Sequence, residues 1–147
     1  MQRDDTMRAR LAGGRMTDAS RLVSLWERAL AAPEWSGPKL WVHGDLHPAN
    51  LLFGTSGRLE AVIDFGDLTA GDPATDLATA WLTFGPEGRC VFRAEIEARM
   101  PVDAATWERA RGWALVIASA VVEAAGTRGP LGQVAAYALD QLVSPAD

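Results

Sequence analysis

The sequence is poor in several residues and patterns that mark large protein classes. A single cysteine, Cys90, excludes an internal disulfide framework and fits a reducing compartment. The net charge is −5 and Lys39 is the only lysine, which argues against a nucleic-acid partner, because phosphate contacts need clustered basic residues. The N-terminus lacks the apolar stretch of a secretory signal, and no uncharged apolar run approaches the roughly 18 residues of a membrane span. We therefore expect a cytoplasmic protein that does not bind a membrane.

Hydrophobic spacing predicts a helix from Thr17 onward. Its apolar stripe follows the i, i+3, i+4, i+7, i+8 pattern of one helix face and comprises Leu22, Leu25, Trp26, Ala29 and Leu30. Residues 1–16 are polar and charged, so we expect them to form a flexible N-terminal segment. The remaining residues, 17–147, are enough for one domain with a core and too few for two ordinary ones.

Most of the second half of the chain is also predicted to be helical. Helices are expected to begin at Asp72-Pro73, to cover about residues 87–99, to start with Asp103 as a cap, and to begin again at Pro130. Three of the six tryptophans, Trp26, Trp81 and Trp107, occupy positions typical of a helical core, and Trp41 is also expected in the core. Only residues 40–67 lack a helical period. The fold class is therefore α+β and mostly helical, with a small β-hairpin.

The hairpin is predicted by the stretch "NLLFGTSGRLEAVID". Two apolar runs flank "GTSGR", a hairpin loop, and Asn50 and Asp64 each lie seven residues from Gly57. A hairpin folded about Gly57 brings Asn50 and Asp64 to the same open end, about 5 Å apart. Asp45 lies five residues before Asn50, in the loop that enters the hairpin. Two carboxylates and an amide oxygen therefore converge, and such oxygen ligands suit Mg²⁺.

The same residues carry a family resemblance. "HGDLHPAN" has the form His-x-Asp-x-x-x-x-Asn of a kinase catalytic loop, and "IDFGD" contains Asp-Phe-Gly. Glycine at position 44, where protein kinases usually have arginine, together with "IDFGD" and "GDPATDLA", resembles the aminoglycoside phosphotransferase family of small-molecule kinases. The resemblance implies a fold like the C-terminal lobe of a protein kinase, with the hairpin carrying the catalytic and metal-binding loops.

The resemblance also implies a role for each matching residue. Asp45 corresponds to the catalytic base that orients the acceptor hydroxyl and takes its proton. Asn50 and Asp64 correspond to the Mg²⁺ ligands that hold the phosphates of ATP or another nucleoside triphosphate. His43 corresponds to the structural histidine of the catalytic loop, and Asp76 to the helix aspartate that hydrogen-bonds back to that loop. The implied reaction moves the γ-phosphate of ATP to a hydroxyl of an aminoglycoside or another small metabolite.

The sequence departs from the family pattern in one respect. Family members clamp the nucleotide with an N-terminal lobe that carries a Gly-rich loop and a lysine. None of the fourteen glycines forms Gly-x-Gly-x-x-Gly, and Lys39 stands only six residues before Asp45, too close to belong to a preceding lobe. We expect this chain to be the C-terminal lobe alone, to lack appreciable activity by itself, and to have a separate N-terminal lobe as a partner.

Some assignments in this region have alternatives. His47 is either an exposed loop residue or one beside the substrate, and Asp67 is either a substrate-side residue or one that stabilises its loop. A metallohydrolase is a rival function, because His43, Asp45 and His47 at i, i+2 and i+4 would line one face of a strand and could bind zinc. A non-catalytic lobe that docks to a partner is the other rival, and an exposed apolar surface would favour it.

Overall fold

The computed structural model describes residues 2–144, which form a mostly helical α+β structure with small antiparallel sheets. This agrees with the predicted fold class. In chain order the elements are α1 (Gln2–Ala12), α2 (Ala19–Ala31), β1 (Leu40–Val42), β2 (Leu51–Phe53), β3 (Leu59–Val62), β4 (Thr69–Gly71), α3 (Ala74–Leu77), α4 (Thr79–Thr83), α5 (Pro86–Glu97), α6 (Ala104–Ala125) and α7 (Gly129–Val143). Two single-turn 3₁₀ helices, Pro48–Asn50 and Phe65–Asp67, flank the hairpin.

The long helix α6 is the centre of the core. It contacts α1, α2, α3, α4 and α7, and its buried face includes Ala110, Ala114, Leu115 and Ala118. Small alanines on this face allow neighbouring helices to approach closely, while Trp81 and Leu22 fill the space between them. Although α6 has 22 residues, neither it nor any other helix within residues 2–144 is long and apolar enough to cross a membrane.

Asp103 caps α6, as its position in the sequence predicts. Its carboxylate accepts hydrogen bonds from the backbone N–H of Thr106 at 2.7 Å and from the Thr106 hydroxyl at 2.7 Å. These bonds, led by the one from the hydroxyl, lower the pKa of the Asp103 carboxyl below its ordinary value. The cap therefore favours the ionised carboxyl at neutral pH.

The N-terminal segment differs from the expectation of a flexible tail. Residues 2–12 form α1, and Met7 and Leu11 are buried at 1% and 5% exposure in the same core as the later helices. The segment is anchored by polar contacts as well, because Trp26 Nε1 donates to Asp4 at 2.8 Å and Arg10 pairs with Glu123 at 2.7 Å. Met7 and Leu11 are four residues apart and share one helix face. This narrow stripe is difficult to recognise among the surrounding charged residues.

Two antiparallel ladders of two strands each hold residues 40–71 together. The predicted hairpin pairs β2 with β3, with Leu51 opposite Val62 and Leu52 opposite Ala61. Its loop is closed by hydrogen bonds between Gly54 and Arg58 and between Gly57 and Gly54, and Gly57 has a φ of 74°. The sequence analysis did not identify the second ladder, in which β1 pairs with β4 and so joins the two ends of the segment.

Two apolar residues expected in the core are exposed. Trp41 is 77% exposed, because side chains alternate along β1 and its neighbour Val42 takes the buried side. Leu30 is 48% exposed and lies in the last turn of α2, after the buried residues Leu22, Leu25 and Trp26. Both predictions were therefore wrong for these side chains, although the elements that carry them are present.

Candidate active site

Asp76, in the short helix α3, holds the start of the loop formed by residues 43–50. Its carboxylate accepts a hydrogen bond from the backbone N–H of His43 at 2.7 Å and another from that of Gly44 at 2.9 Å. Hydrogen bonds to a charged acceptor are stronger than neutral ones. The contact between Asp76 and the 43–50 loop is the one that the family resemblance implies.

His43 lies inside the structure and holds the loop through both ring nitrogens. Its Nε2 is 2.8 Å from the carbonyl oxygen of Ile63, and its Nδ1 accepts from the backbone N–H of Asp45 at 3.3 Å. The residue is 6% exposed, and its ring contacts that of Phe65 at a centroid distance of 4.8 Å. A neutral ring that accepts at Nδ1 carries its proton on Nε2, where it can donate to Ile63. His43 thus links the start of the loop to the end of β3.

Asn50 connects the loop to the hairpin. Its side-chain Nδ2 donates to the carbonyl oxygen of Asp45 at 2.9 Å, so the amide plane is oriented and Oδ1 is its other polar atom. The carbonyl oxygen of Asn50 accepts from the backbone N–H of Ile63 at 3.0 Å, one step beyond the Leu51–Val62 pair. Asn50 therefore lies opposite Ile63, the residue before Asp64, at the open end of the predicted hairpin.

Asp64 follows β3 and has an unusual backbone conformation. Its φ and ψ are 65° and 63°, in the left-handed region that few residues other than glycine adopt. Its side chain is exposed and makes no capping hydrogen bond to the 3₁₀ turn that follows. The carboxylate of Asp67, at the end of that turn, is exposed as well. A strained backbone is common where a side chain must be presented to a ligand.

His47 is buried, at 7% exposure, so the alternative of an exposed loop residue is wrong. Its Nδ1 accepts from the backbone N–H of Ala49 at 3.2 Å and thereby caps the 3₁₀ turn Pro48–Asn50. Its Nε2 lies 3.3 Å from Oδ2 of Asp45. His47 is thus a neighbour of the predicted base.

The zinc-site alternative does not fit this arrangement. Strand β1 ends at Val42, so His43, Asp45 and His47 are not successive residues on one face of a strand. Both ring nitrogens of His43 are engaged in hydrogen bonds, and no group of three or more His, Cys, Asp or Glu side chains that could hold a metal occurs in the described part of the chain. An amide oxygen and one carboxylate, from Asn50 and Asp64, match the hard oxygen ligands that Mg²⁺ uses together with phosphate oxygens and water.

One supporting residue has no signal in the sequence. Arg109, on α6, donates from Nε to Oδ2 of Asp72 at 2.7 Å and from Nη2 to the Thr106 hydroxyl at 3.1 Å. Asp72 in turn accepts from the backbone N–H of Ala74 at 3.0 Å and so caps α3, the helix that carries Asp76. Because 37 residues separate Arg109 from Asp72, only the fold brings them together.

The comparisons with known proteins support the family resemblance. The model of the phosphotransferase enzyme family matches residues 2–113, a range that contains every residue of the site described above. The chain belongs to the phosphotransferase enzyme family. It is similar to the Uncharacterized protein YcbJ of Bacillus subtilis (strain 168), with 33% identity over 67 residues that cover 43% of this chain and 22% of the relative. No solved structure matches the chain.

In this member of the phosphotransferase enzyme family, position 44 requires glycine for a steric reason, and this requirement can be tested. Gly44 has a φ of 89°, and a Cβ there would lie 2.5 Å from the backbone oxygen of Asp67. We expect Gly44→Ala to lower the free energy of unfolding by roughly 2–4 kcal/mol, from left-handed strain plus overpacking against backbone. Denaturant unfolding monitored by tryptophan fluorescence measures this change.

Gly57→Ala is the matched control. Gly57 also has a positive φ, 74°, but a Cβ there would meet nothing within 4 Å. Gly57→Ala should therefore lower the free energy of unfolding only by the backbone strain, about 1–2 kcal/mol. Equal losses in the two variants would contradict the steric role of Gly44 beside Asp67.

Proposed function

We propose that this protein is a small-molecule kinase that transfers the γ-phosphate of ATP, or of another nucleoside triphosphate, to a hydroxyl of an aminoglycoside or another small metabolite. The observation that supports the proposal is the hydrogen bond from Asn50 to the Asp45 carbonyl oxygen at the open end of the hairpin, whose other arm continues into Asp64, within a chain of the phosphotransferase enzyme family. The fold we infer is that of a kinase C-terminal lobe. Phosphoryl transfer depends mainly on positioning and charge neutralisation, which side chains of this kind supply.

In this proposal Asp45 acts as the base. The acceptor oxygen forms a bond to the γ-phosphorus, the bond between that phosphorus and the β–γ bridging oxygen breaks, and the nucleoside diphosphate leaves with the electron pair. The hydroxyl proton passes to the Asp45 carboxylate. The Asp45 side chain is 37% exposed, so a substrate can approach it, while the bond from Asn50 to its backbone oxygen fixes its place in the loop.

Asn50 and Asp64 are the residues that would hold Mg²⁺ in this site. The bound cation would neutralise charge on the nucleotide phosphates. The apolar residues beside these ligands are available for the nucleotide base, since Leu52 is 46% exposed and Ile63 is 40% exposed. Asp67 is a candidate for contact with the acceptor, because its carboxylate is exposed at the end of the turn that follows Asp64.

The decisive experiment is a titration of the chain with ATP, followed by NMR chemical shifts, with and without Mg²⁺. We expect weak binding that requires Mg²⁺, and Asp64→Asn should weaken it by roughly tenfold or more, because a charge-assisted contact is worth about 1.5–3 kcal/mol. Asp67→Asn is the matched control, since it removes the same charge three residues away and should leave the affinity for Mg²⁺ and ATP nearly unchanged. Binding that is indifferent to both Mg²⁺ and Asp64 would contradict the proposal.

A second candidate function is a non-catalytic lobe that docks to a partner. The observation that favours it is the number of large apolar side chains exposed around the hairpin, which are Trp41, Leu52, Phe53, Leu59, Ile63, Phe65 and Leu68. Clustered exposed apolar residues commonly mark an interaction surface. A docking lobe would bind its partner with or without nucleotide, whereas an N-terminal kinase lobe would complete the nucleotide site.

A further inference from the structure

His47 has two polar contacts that no assigned role explains. It stands between the base and a proposed metal ligand in sequence, its side chain is 9% exposed, and its two ring nitrogens contact different parts of the loop. Nε2 lies 3.3 Å from Oδ2 of Asp45, and Nδ1 accepts from the backbone N–H of Ala49. A buried ring held at both nitrogens has a fixed orientation.

The contact at Nδ1 determines where the proton of the ring lies. Because the backbone N–H of Ala49 points at Nδ1, that nitrogen must be bare, and a neutral ring carries its proton on Nε2. The Nε2–H therefore faces Oδ2 of Asp45 and can donate to it. This contact engages Oδ2 of the Asp45 carboxylate and leaves Oδ1 available to another partner.

The same ring also supports the turn that carries Asn50. By accepting from Ala49, His47 caps the 3₁₀ helix Pro48–Asn50, and the Asn50 side chain then donates back to the Asp45 backbone oxygen at 2.9 Å. Asp45, His47 and Asn50 thus form a closed set of contacts. The contact with His47 Nε2 fixes the side chain of Asp45, and the hydrogen bond to the Asp45 backbone oxygen fixes the amide of Asn50.

We propose that His47 is a positioning residue that donates from Nε2–H to Oδ2 of Asp45 and so directs Oδ1 toward the acceptor hydroxyl whose proton it receives. This inference rests on the proposed phosphotransfer reaction. It identifies Oδ1 of Asp45 as the atom that accepts the proton. It also gives His47 a positioning role instead of a direct contact with the substrate. Positioning of this kind affects the chemical step more than the binding of the nucleotide, because it acts on the base.

Two substitutions separate the two contacts of the ring. In His47→Asn the Oδ1 atom takes the place of Nδ1 and can still cap the turn, since asparagine is a good N-cap, but nothing reaches Asp45. In His47→Gln the Nε2 amide can still donate to Asp45, whereas the cap is lost. Each variant therefore removes one contact and retains the other.

The expected results for the two variants are opposite. In the chain joined to a nucleotide-clamping N-terminal lobe, His47→Asn should lower kcat roughly ten- to a hundredfold with the KM for ATP and the melting temperature almost unchanged. His47→Gln should lower the melting temperature and retain most of kcat. A merely structural role would make kcat follow the melting temperature in both variants.

The tautomer can be read from the 147-residue chain without any activity. The chain has only two histidines, so a long-range proton–nitrogen correlation spectrum contains two imidazole patterns, and His47→Gln removes one of them. At about pH 8.5, where an ordinary histidine is neutral, we expect the His47 ring to be protonated on Nε2 and bare at Nδ1. Asp45→Asn should shift the Nε2 signal of His47 more than that of His43.

The failure of this inference differs from the failure of the proposed function. A His47 ring protonated on Nδ1, or an unimpaired kcat in His47→Asn, would overturn the positioning role while phosphotransfer by the unsubstituted protein remained. No phosphotransfer by the unsubstituted two-lobed protein would overturn the proposed function and the positioning role with it. The expected tautomer together with a loss of kcat confined to His47→Asn would establish the role.

Discussion

Asp76→Ala should lower the free energy of unfolding by about 3 kcal/mol or more. The substitution removes two charge-assisted hydrogen bonds, at 2.7 and 2.9 Å from the backbone N–H groups of His43 and Gly44, each worth about 1.5–3 kcal/mol. Both N–H groups would be left without this acceptor. For a chain of 147 residues, such a loss corresponds to a decrease in melting temperature of roughly 6–12 °C, which calorimetry can measure.

The control for this experiment is Asp76→Asn. An amide retains one acceptor oxygen but turns an NH₂ group toward the second backbone N–H, so this variant should lose about half as much stability. The Asp45 loop should also become more mobile in Asp76→Ala, which amide hydrogen exchange at Gly44 and Asp45 can detect. A melting temperature that is unchanged in the alanine variant would show that Asp76 does not hold the loop.

The sequence predicts the parts of the site that depend on local geometry. The hairpin about Gly57 forms where the spacing predicts it, and it places Asn50 opposite Ile63, the residue before Asp64. The strand register is irregular between Leu52 and Phe53, so the arms are not strictly equal, but the bonds at the open end remain. Local spacing is sufficient for this feature because no distant element is needed to close a hairpin.

The features that the sequence does not predict depend on distant contacts. The ladder of β1 and β4 joins strands of three residues each, too short for an alternating pattern to be recognised. Arg109 reaches Asp72 only because α6 packs against α3. Burial of α1 depends on Met7, whose neighbour Ser119 is 112 residues away in the chain. In each case the energy comes from packing, which periodicity in one segment cannot show.

The exposed apolar residues near the site separate the catalytic proposal from the docking alternative. Leu52 and Ile63 lie beside the proposed ligands, whereas Phe53 and Leu59 pair at the far end of the hairpin near its loop. An adenine-binding surface requires only Leu52 and Ile63, whereas a covering lobe or partner would bury Phe53 and Leu59 as well. Because both pairs are exposed, we propose that a further lobe or a partner covers them.

The largest effect that we expect is on phosphotransfer itself. In the proposed site the 147 residues supply a base and two metal ligands, but they contain neither a Gly-rich loop nor a lysine placed to position a nucleotide. In an open site, charge interactions in water shrink to about 1 kcal/mol at contact distance, and much of the benefit of a closed, water-poor site is lost. We therefore expect the isolated chain to show no appreciable transfer of phosphate from Mg²⁺-bound ATP to an acceptor.

Joined to a matching N-terminal lobe, the same residues should transfer phosphate at ordinary kinase rates of roughly 1–100 per second. Asp45→Asn should then lower kcat by roughly 10²–10⁴-fold, because the amide cannot accept the hydroxyl proton. Asp140→Asn, an exposed carboxylate on α7, is the matched control and should leave kcat unchanged. Radiolabelled phosphate transfer to a panel of hydroxyl acceptors measures all three proteins. Ordinary kinase rates from the isolated chain, or full activity in Asp45→Asn, would show that the site works by another mechanism.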